Sequence, residues 1–162
     1  MGHCSVQRVT TEEPGMAETP ILEAVKTQSK IVIPIVKELE NELGKERAHA
    51  IVGRAIARNY VEFRRAQGFE KNSHPREDAD TAFPIQTEVA EETETTFGLD
   101  IKACDVADDF RSIGESGIGA LMTCGVDFAA EKLVRPEWEF RRTQTLMRGA
   151  SHCDFRWCRK QS

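Results

Sequence analysis

The chain has no apolar run long enough to span a bilayer: the stretch over residues 31–36 is short, and Lys37 ends it. No long apolar segment stands near the start to act as a secretion signal, so the expected location is the cytoplasm. Positive charge is not in surplus either. With 22 Lys and Arg against 27 Asp and Glu, the net charge is -5, which gives no broad basic footprint for a nucleic-acid backbone. Two tryptophans and one tyrosine are few aromatics, yet hydrophobic residues still make up 40%, enough for a packed core and too many for wholesale disorder. There is no C-x-x-C pair, no helical H-x-x-E-H pattern and no phosphate-cradling glycine motif, which removes thioredoxin-like, zincin-like and P-loop chemistry. Internal repeats, heptad arrays and low-complexity tracts are absent as well.

What is present includes five cysteines, Cys4, Cys104, Cys124, Cys153 and Cys158. An odd number in a chain of this size points to reduced thiols rather than a disulfide framework. Residues 1–18 mix Gly, Thr, Glu and Pro without an apolar period and are expected to form a mobile tail. From Ile21 the spacing becomes helical. Ile35, Val36, Leu39 and Leu43 hold one face, Pro34 is expected to kink or restart the helix, and Gly44 offers a C-cap. A second helix is expected over residues 45–67, with Ala48, Ile51, Val52, Ala55 and Phe63 at helical spacing; Arg47, Arg54, Arg58, Arg64 and Arg65 read as a solvated face, the alternative being an anion-binding stripe.

Residues 69–85 carry Pro75, Pro84 and many charges and read as a connector. Two strands are expected over residues 87–96 and from Phe97 to Cys104, though the first segment also allows a helix. Two short helices follow, one carrying Val106, Phe110 and Ile113, the other ending near Cys124. Trp138, Phe140, Gln144 and Leu146 lie on one face of an extended run that turns at Gly149 into a terminal strand with Cys153, Phe155 and Trp157. The expected fold is α+β: an N-terminal helical hairpin (residues 19–68) packed on a small antiparallel sheet with short helices, within a single domain spanning residues 19–162 whose mixed part (86–160) carries the site.

Thiols and charges concentrate at Cys124-Gly125-Val126-Asp127, at Arg141-Arg142-Thr143-Gln144-Thr145, and at His152-Cys153-Asp154-Phe155-Arg156. A thiol attacking an amidine-like carbon needs a nearby proton acceptor, and Asp127 stands three residues from Cys124, with a helix start expected near Gly125. The alternative for this pair is a buried cysteine beside an N-capping aspartate. On a strand only one of Arg141 and Arg142 faces inward. Arg142 shares the apolar face, where its guanidinium needs an anion: a substrate carboxylate or Asp154. If Cys153 approached Cys104 and Cys124 in space, three thiolates and a water would make an open zinc site.

These residues resemble the L-2-amino-thiazoline-4-carboxylic acid hydrolase family, which shares the Cys-x-x-Asp element, an Arg-Thr-x-Thr strand, a glycine and a Cys-Asp-Phe-Arg ending. The kinked first helix with Pro34, the Leu43-Gly44-x-Glu46-x-Ala48 joint and Cys104 extend the likeness over roughly residues 25–158. The resemblance implies hydrolytic opening of a five-membered ring at a carbon bonded to nitrogen and sulfur, in a small carboxylate-bearing substrate. The expected roles, taken from chemistry, are Cys124, Asp127 and Cys153 in catalysis and Arg142, Thr143 and Asp154 in substrate binding. No cofactor is required, zinc is compatible with the pattern, held if present by Cys104, Cys124 and Cys153, and so is a homo-oligomer. The region of Glu139, Gly149 and Cys153 is also similar to the 4-vinyl reductase type of small-molecule-binding domain, in which cysteines and a glutamate hold zinc. Here Thr145 stands where another cysteine would be expected, leaving Glu137 or Glu139 as a substitute. That second likeness implies the rival reading, a non-catalytic sensing module.

Overall fold

The computed structural model describes residues 19–68, 72–79 and 83–161; the expected tail, and the parts of the connector at 69–71 and 80–82, lie outside them. Thr19 opens helix α1 (Pro20–Leu43), its hydroxyl accepting from the Leu22 N–H at 3.2 Å with Pro20 at the first helical position. α1 runs through Pro34 as one helix. The expected restart does not occur: Leu22 before the proline and Val36 after it are both buried, so packing holds each half of the helix. Gly44 ends it at φ +77°, a backbone conformation side-chain-bearing residues rarely adopt, and helix α2 (Lys45–Ala66) returns alongside.

Strands β1 (Ile85–Glu92) and β2 (Thr96–Cys104) pair as an antiparallel hairpin, so the segment that also allowed a helix is a strand. Its alternation of β-branched and acidic residues fits an edge strand that stays largely exposed. Helices α3 (Asp105–Ser112), α4 (Ser116–Met122) and α5 (Asp127–Val134) follow, then β3 (Trp138–Arg141) and β4 (Cys153–Arg159). Among the described residues the sheet has four antiparallel strands in the order β1-β2-β4-β3.

Opposed residues in an antiparallel ladder share a face. The register sets Phe97 against Trp157, Leu99 against Phe155 and Ile101 against Cys153, which makes one face of the sheet apolar. Asp100 and Arg156 occupy the other, joined by a 2.8 Å ion pair. On the apolar face, Ile101 and Cys153 join Leu22, Val106, Phe110 and Met147 in one core cluster, while Phe97, Leu99, Trp138 and Trp157 form a second. α2 lies against α4 and α5, so the helical hairpin covers the short helices, and these cover the sheet.

β3 is shorter than the expected extended run. The reason is local: the Asp154 carboxylate takes the N–H groups of Thr143 and Gln144 at 2.9 and 2.8 Å and the Thr143 hydroxyl at 2.6 Å. Those donors leave the ladder, the chain departs after Arg141, and Leu146–Arg148 forms a 3-10 turn closed by Gly149 at φ +86°.

Candidate active site

The site is built where the last turn before α5 meets the loop after β3. A 3-10 turn over Cys124–Val126 runs directly into α5, so Asp127 enters the first helical turn. Asp127 does not cap this helix, since the cap residue is Val126 and no side chain bonds there. The carboxylate turns instead to Arg142, which donates from Nη1 to Asp127 Oδ2. From Nη2 the same guanidinium donates to the Cys124 carbonyl at 3.0 Å, and it stacks over the rings of Phe128 and Phe155 at 5.1 and 5.5 Å. Arg142 is therefore fixed on four sides. It pairs with Asp127 and not with Asp154, whose oxygens are occupied by Thr143 and Gln144.

Electrostatics follow from this burial. The Arg142 side chain is 8% exposed and that of Asp127 29%. Burial pushes Asp127 up to about 6, against the opposing pull of Arg142 and with the Glu131 charge adding to the rise. A carboxyl group is thus poised near neutrality while solvent still reaches it. Burial also raises the Cys124 thiol; the Thr123 hydroxyl and the Arg142 charge act the other way, and the Asp127 charge adds to the rise. For Asp154 burial acts upward, but the bonds from Thr143 and Gln144 hold it below the usual carboxylate range.

The other two thiols lie nearby and have structural partners. Cys153 is buried and its Sγ accepts from the Leu146 N–H at 3.3 Å, pinning the 3-10 turn. Cys104 caps α3 by accepting from the Ala107 N–H at 3.4 Å, and burial pushes it up to about 11, with Cys124 and Cys153 contributing. Cys104 and Cys124 pack against the core cluster that contains Cys153, so the three thiols border one core. Among the described residues, however, no three His, Cys, Asp or Glu side chains converge into a set able to hold a metal ion. Two open surface clefts lie elsewhere, one lined by Thr95, Pro136, Glu137, Cys158 and Arg159 and one by Val61, Asn72 and Leu133; neither is lined by Cys124, Asp127, Arg142 or Cys153.

The structure joins Arg142 to Asp127 and to the Cys124 carbonyl; sequence reasoning names these residues but expects a substrate carboxylate or Asp154 as the partner of Arg142, and it misses the supporting shell. Glu131 sits one helical turn after Asp127, holds Arg135 through two bonds of 3.0 and 2.9 Å, and accepts from Trp157 Nε1 at 2.8 Å. The i, i+4, i+8 spacing of Asp127, Glu131 and Arg135 was the available signal. Phe128 was missed because an aromatic beside an aspartate reads as packing.

Residues 25–157 match the family described as L-2-amino-thiazoline-4-carboxylic acid hydrolase. The chain belongs to this family. The family is named for a hydrolase, which supports a hydrolase reading in general. No curated protein matches the chain. Among solved structures it is similar to the phenol-responsive sensory domain of the transcription activator PoxR with phenol, at 13% identity over 80% of this chain and 73% of that one, with a TM-score of 0.47. It is also similar to a trafficking protein particle complex subunit 3 from Naegleria fowleri covalently bound to palmitic acid, at 14% identity over 84% and 97%, with a TM-score of 0.44. Among the described residues no helix is long and apolar enough to cross a membrane.

Proposed function

We propose that this member of the family hydrolyses a C–N bond in a small, carboxylate-bearing cyclic amidine or amide, opening the ring, with Cys124 as nucleophile, Asp127 as base and Arg142 as the orienting cation. The observation that carries this reading is the Asp127–Arg142 pair beside Cys124, with the carboxyl group raised to about 6. A neutral thiol needs a base to become a nucleophile. Histidine usually supplies one, with an ordinary pKa near 6.5; a desolvated aspartate near 6 has the same proton affinity. Arg142 completes the logic of nucleophile, base and orienting group, because it holds the carboxylate and the backbone of the nucleophile at once.

The reaction then runs in two balanced halves. Cys124 Sγ attacks the ring carbon while its proton passes to Asp127; the C–N bond breaks, and the proton goes on to the departing nitrogen. Water, losing a proton to Asp127, attacks the same carbon. The C–S bond to Cys124 breaks, the thiolate recovers the proton, and the product carries one added water. A guanidinium has five N–H donors, more than the bonds to Asp127 and Cys124 use, so the substrate carboxylate shares Arg142 with Asp127. Thr143 and Asp154 act behind it by fixing the loop that delivers Arg142. This chemistry asks for no metal and no cofactor. The test is to incubate the purified protein with 2-aminothiazoline carboxylates, cyclic ureas and cyclic amides and to look for a product heavier by one water. Turnover of a carboxylated ring supports the reading. Binding without turnover across the panel sinks it and leaves the sensing module.

A further inference from the structure

The helical hairpin is underused as a structural element. Of the 24 residues of α1, the buried ones are Leu22, Ser29 and Val36, and of the 22 residues of α2, Ala48 is the one fully buried. Positions 24, 28, 31, 35, 38 and 42 fall on one outer stripe of α1, with Ile31 64% and Ile35 55% exposed in its middle and the exposed acids Glu38 and Glu42 toward the joint. On α2 the outer stripe carries Arg47, Ile51, Arg54, Ala55 and Arg58, with Ile51 38% exposed. Among the described residues Glu38, Glu42, Arg47 and Arg54 take part in no ion pair.

We propose that this outer face is an interface with a second copy of the same chain, closed by apolar contact between Ile31 and Ile35 of one copy and Ile51 and Ala55 of the other, and by pairing of Glu38 and Glu42 with Arg47 and Arg54. The charge pattern commits the face to a copy of itself. A two-fold axis parallel to the helices places α1 of one copy over α2 of the other at the same height. Because the two helices of a hairpin run antiparallel from one joint, Glu42 then lies opposite Arg47, and Ile35 lies opposite Ile51 and Ala55. Each contact occurs twice, as an isologous interface requires. The size is adequate: a face about 35 Å long and two helices wide covers on the order of 700 Å² per copy, close to the ~800 Å² per partner of a standard interface.

The test uses the full chain in sedimentation-velocity ultracentrifugation. Wild type is expected to sediment as a dimer. The double variants Glu38→Arg/Glu42→Arg and Arg47→Glu/Arg54→Glu are each expected to dissociate, with the dissociation constant raised roughly tenfold or more. Mixing the two variants restores opposite charges at both halves of the interface, so an equimolar mixture is expected to dimerise again. These substitutions sit on exposed positions, and circular dichroism of each variant should match wild type. A wild type that stays monomeric overturns the proposal, as does a dimer untouched by either variant or a mixture that remains monomeric.

Discussion

Replacing Arg142 with lysine keeps one positive charge and removes the fork, which makes it a sharp probe of how the site is held. A lysine ammonium can follow Asp127 or the Cys124 carbonyl, but it has no rigid plane with which to reach both and to stack between Phe128 and Phe155. The loss is then one hydrogen bond from a charged donor, about 1.5–3 kcal/mol, and part of two ring contacts at roughly 0.5–1 kcal/mol each. Setting the retained ion pair against this, the expected cost is about 2–3 kcal/mol. For a chain of this length that corresponds to a fall in Tm of about 5–10 °C. A weaker cation also leaves burial less opposed, so the Asp127 pKa should climb above about 6. The assay is a thermal melt followed by a pH profile of kcat/KM for Arg142→Lys and for wild type, with Asp127→Asn as the second leg of a stability cycle to measure the coupling between the two side chains. An unchanged Tm, an unmoved acidic limb and a coupling of zero would together refute the claim that Arg142 holds the base.

Four further outcomes are expected. Activity should rise with pH through about 6, because Asp127 accepts a proton only when ionised. Stability should move the opposite way: the folded state binds this proton more tightly than the unfolded one, so Asp127's contribution is present below about 4, is lost as the pH rises to about 6, and is level above that. Chemical denaturation across this range checks the sign. Asp154→Ala removes three hydrogen bonds at the end of β3; it should cost about 1–3 kcal/mol and lower kcat more than Tm alone explains, since the loop bearing Arg142 is released. Gly119→Ala would place a Cβ 2.5 Å from Cγ of the fully buried Phe110; overpacking of about 1–3 kcal/mol should outweigh the roughly 1 kcal/mol gained in helix propensity, read as a lower denaturation midpoint with an unchanged m-value.

Much of the fold was legible because it rests on local periodicity. The cap at Gly44, the helical spacing of α1 and α2, and the alternation of Phe97, Leu99 and Ile101 each belong to a short window of sequence. The misreading at residues 142–146 has a long-range cause: Asp154, on the next strand, takes the backbone donors that the extended pattern would have given to a ladder. Pro34 reads as a break from propensity alone, yet the burial of Val36 overrides it. At the site, the residue types and their clustering could be read, but not the pairing. Whether Arg142 meets Asp127, 15 positions away, or Asp154, across a hairpin, depends on where α5 packs against β3. The depth of Asp127's burial, which sets its proton affinity, is likewise a property of the assembled helices.

The measurement that tests the central claim most directly is turnover by Cys124→Ser on a ring substrate that the wild type has been shown to open. A serine hydroxyl beside Asp127 is a far poorer nucleophile than a thiol, so the account predicts that kcat falls by roughly a thousandfold or more, with the melting curve and the substrate dissociation constant near their wild-type values. Full turnover by Cys124→Ser would contradict it, reducing Cys124 to a packing residue and leaving a water activated by Asp127 as the nucleophile.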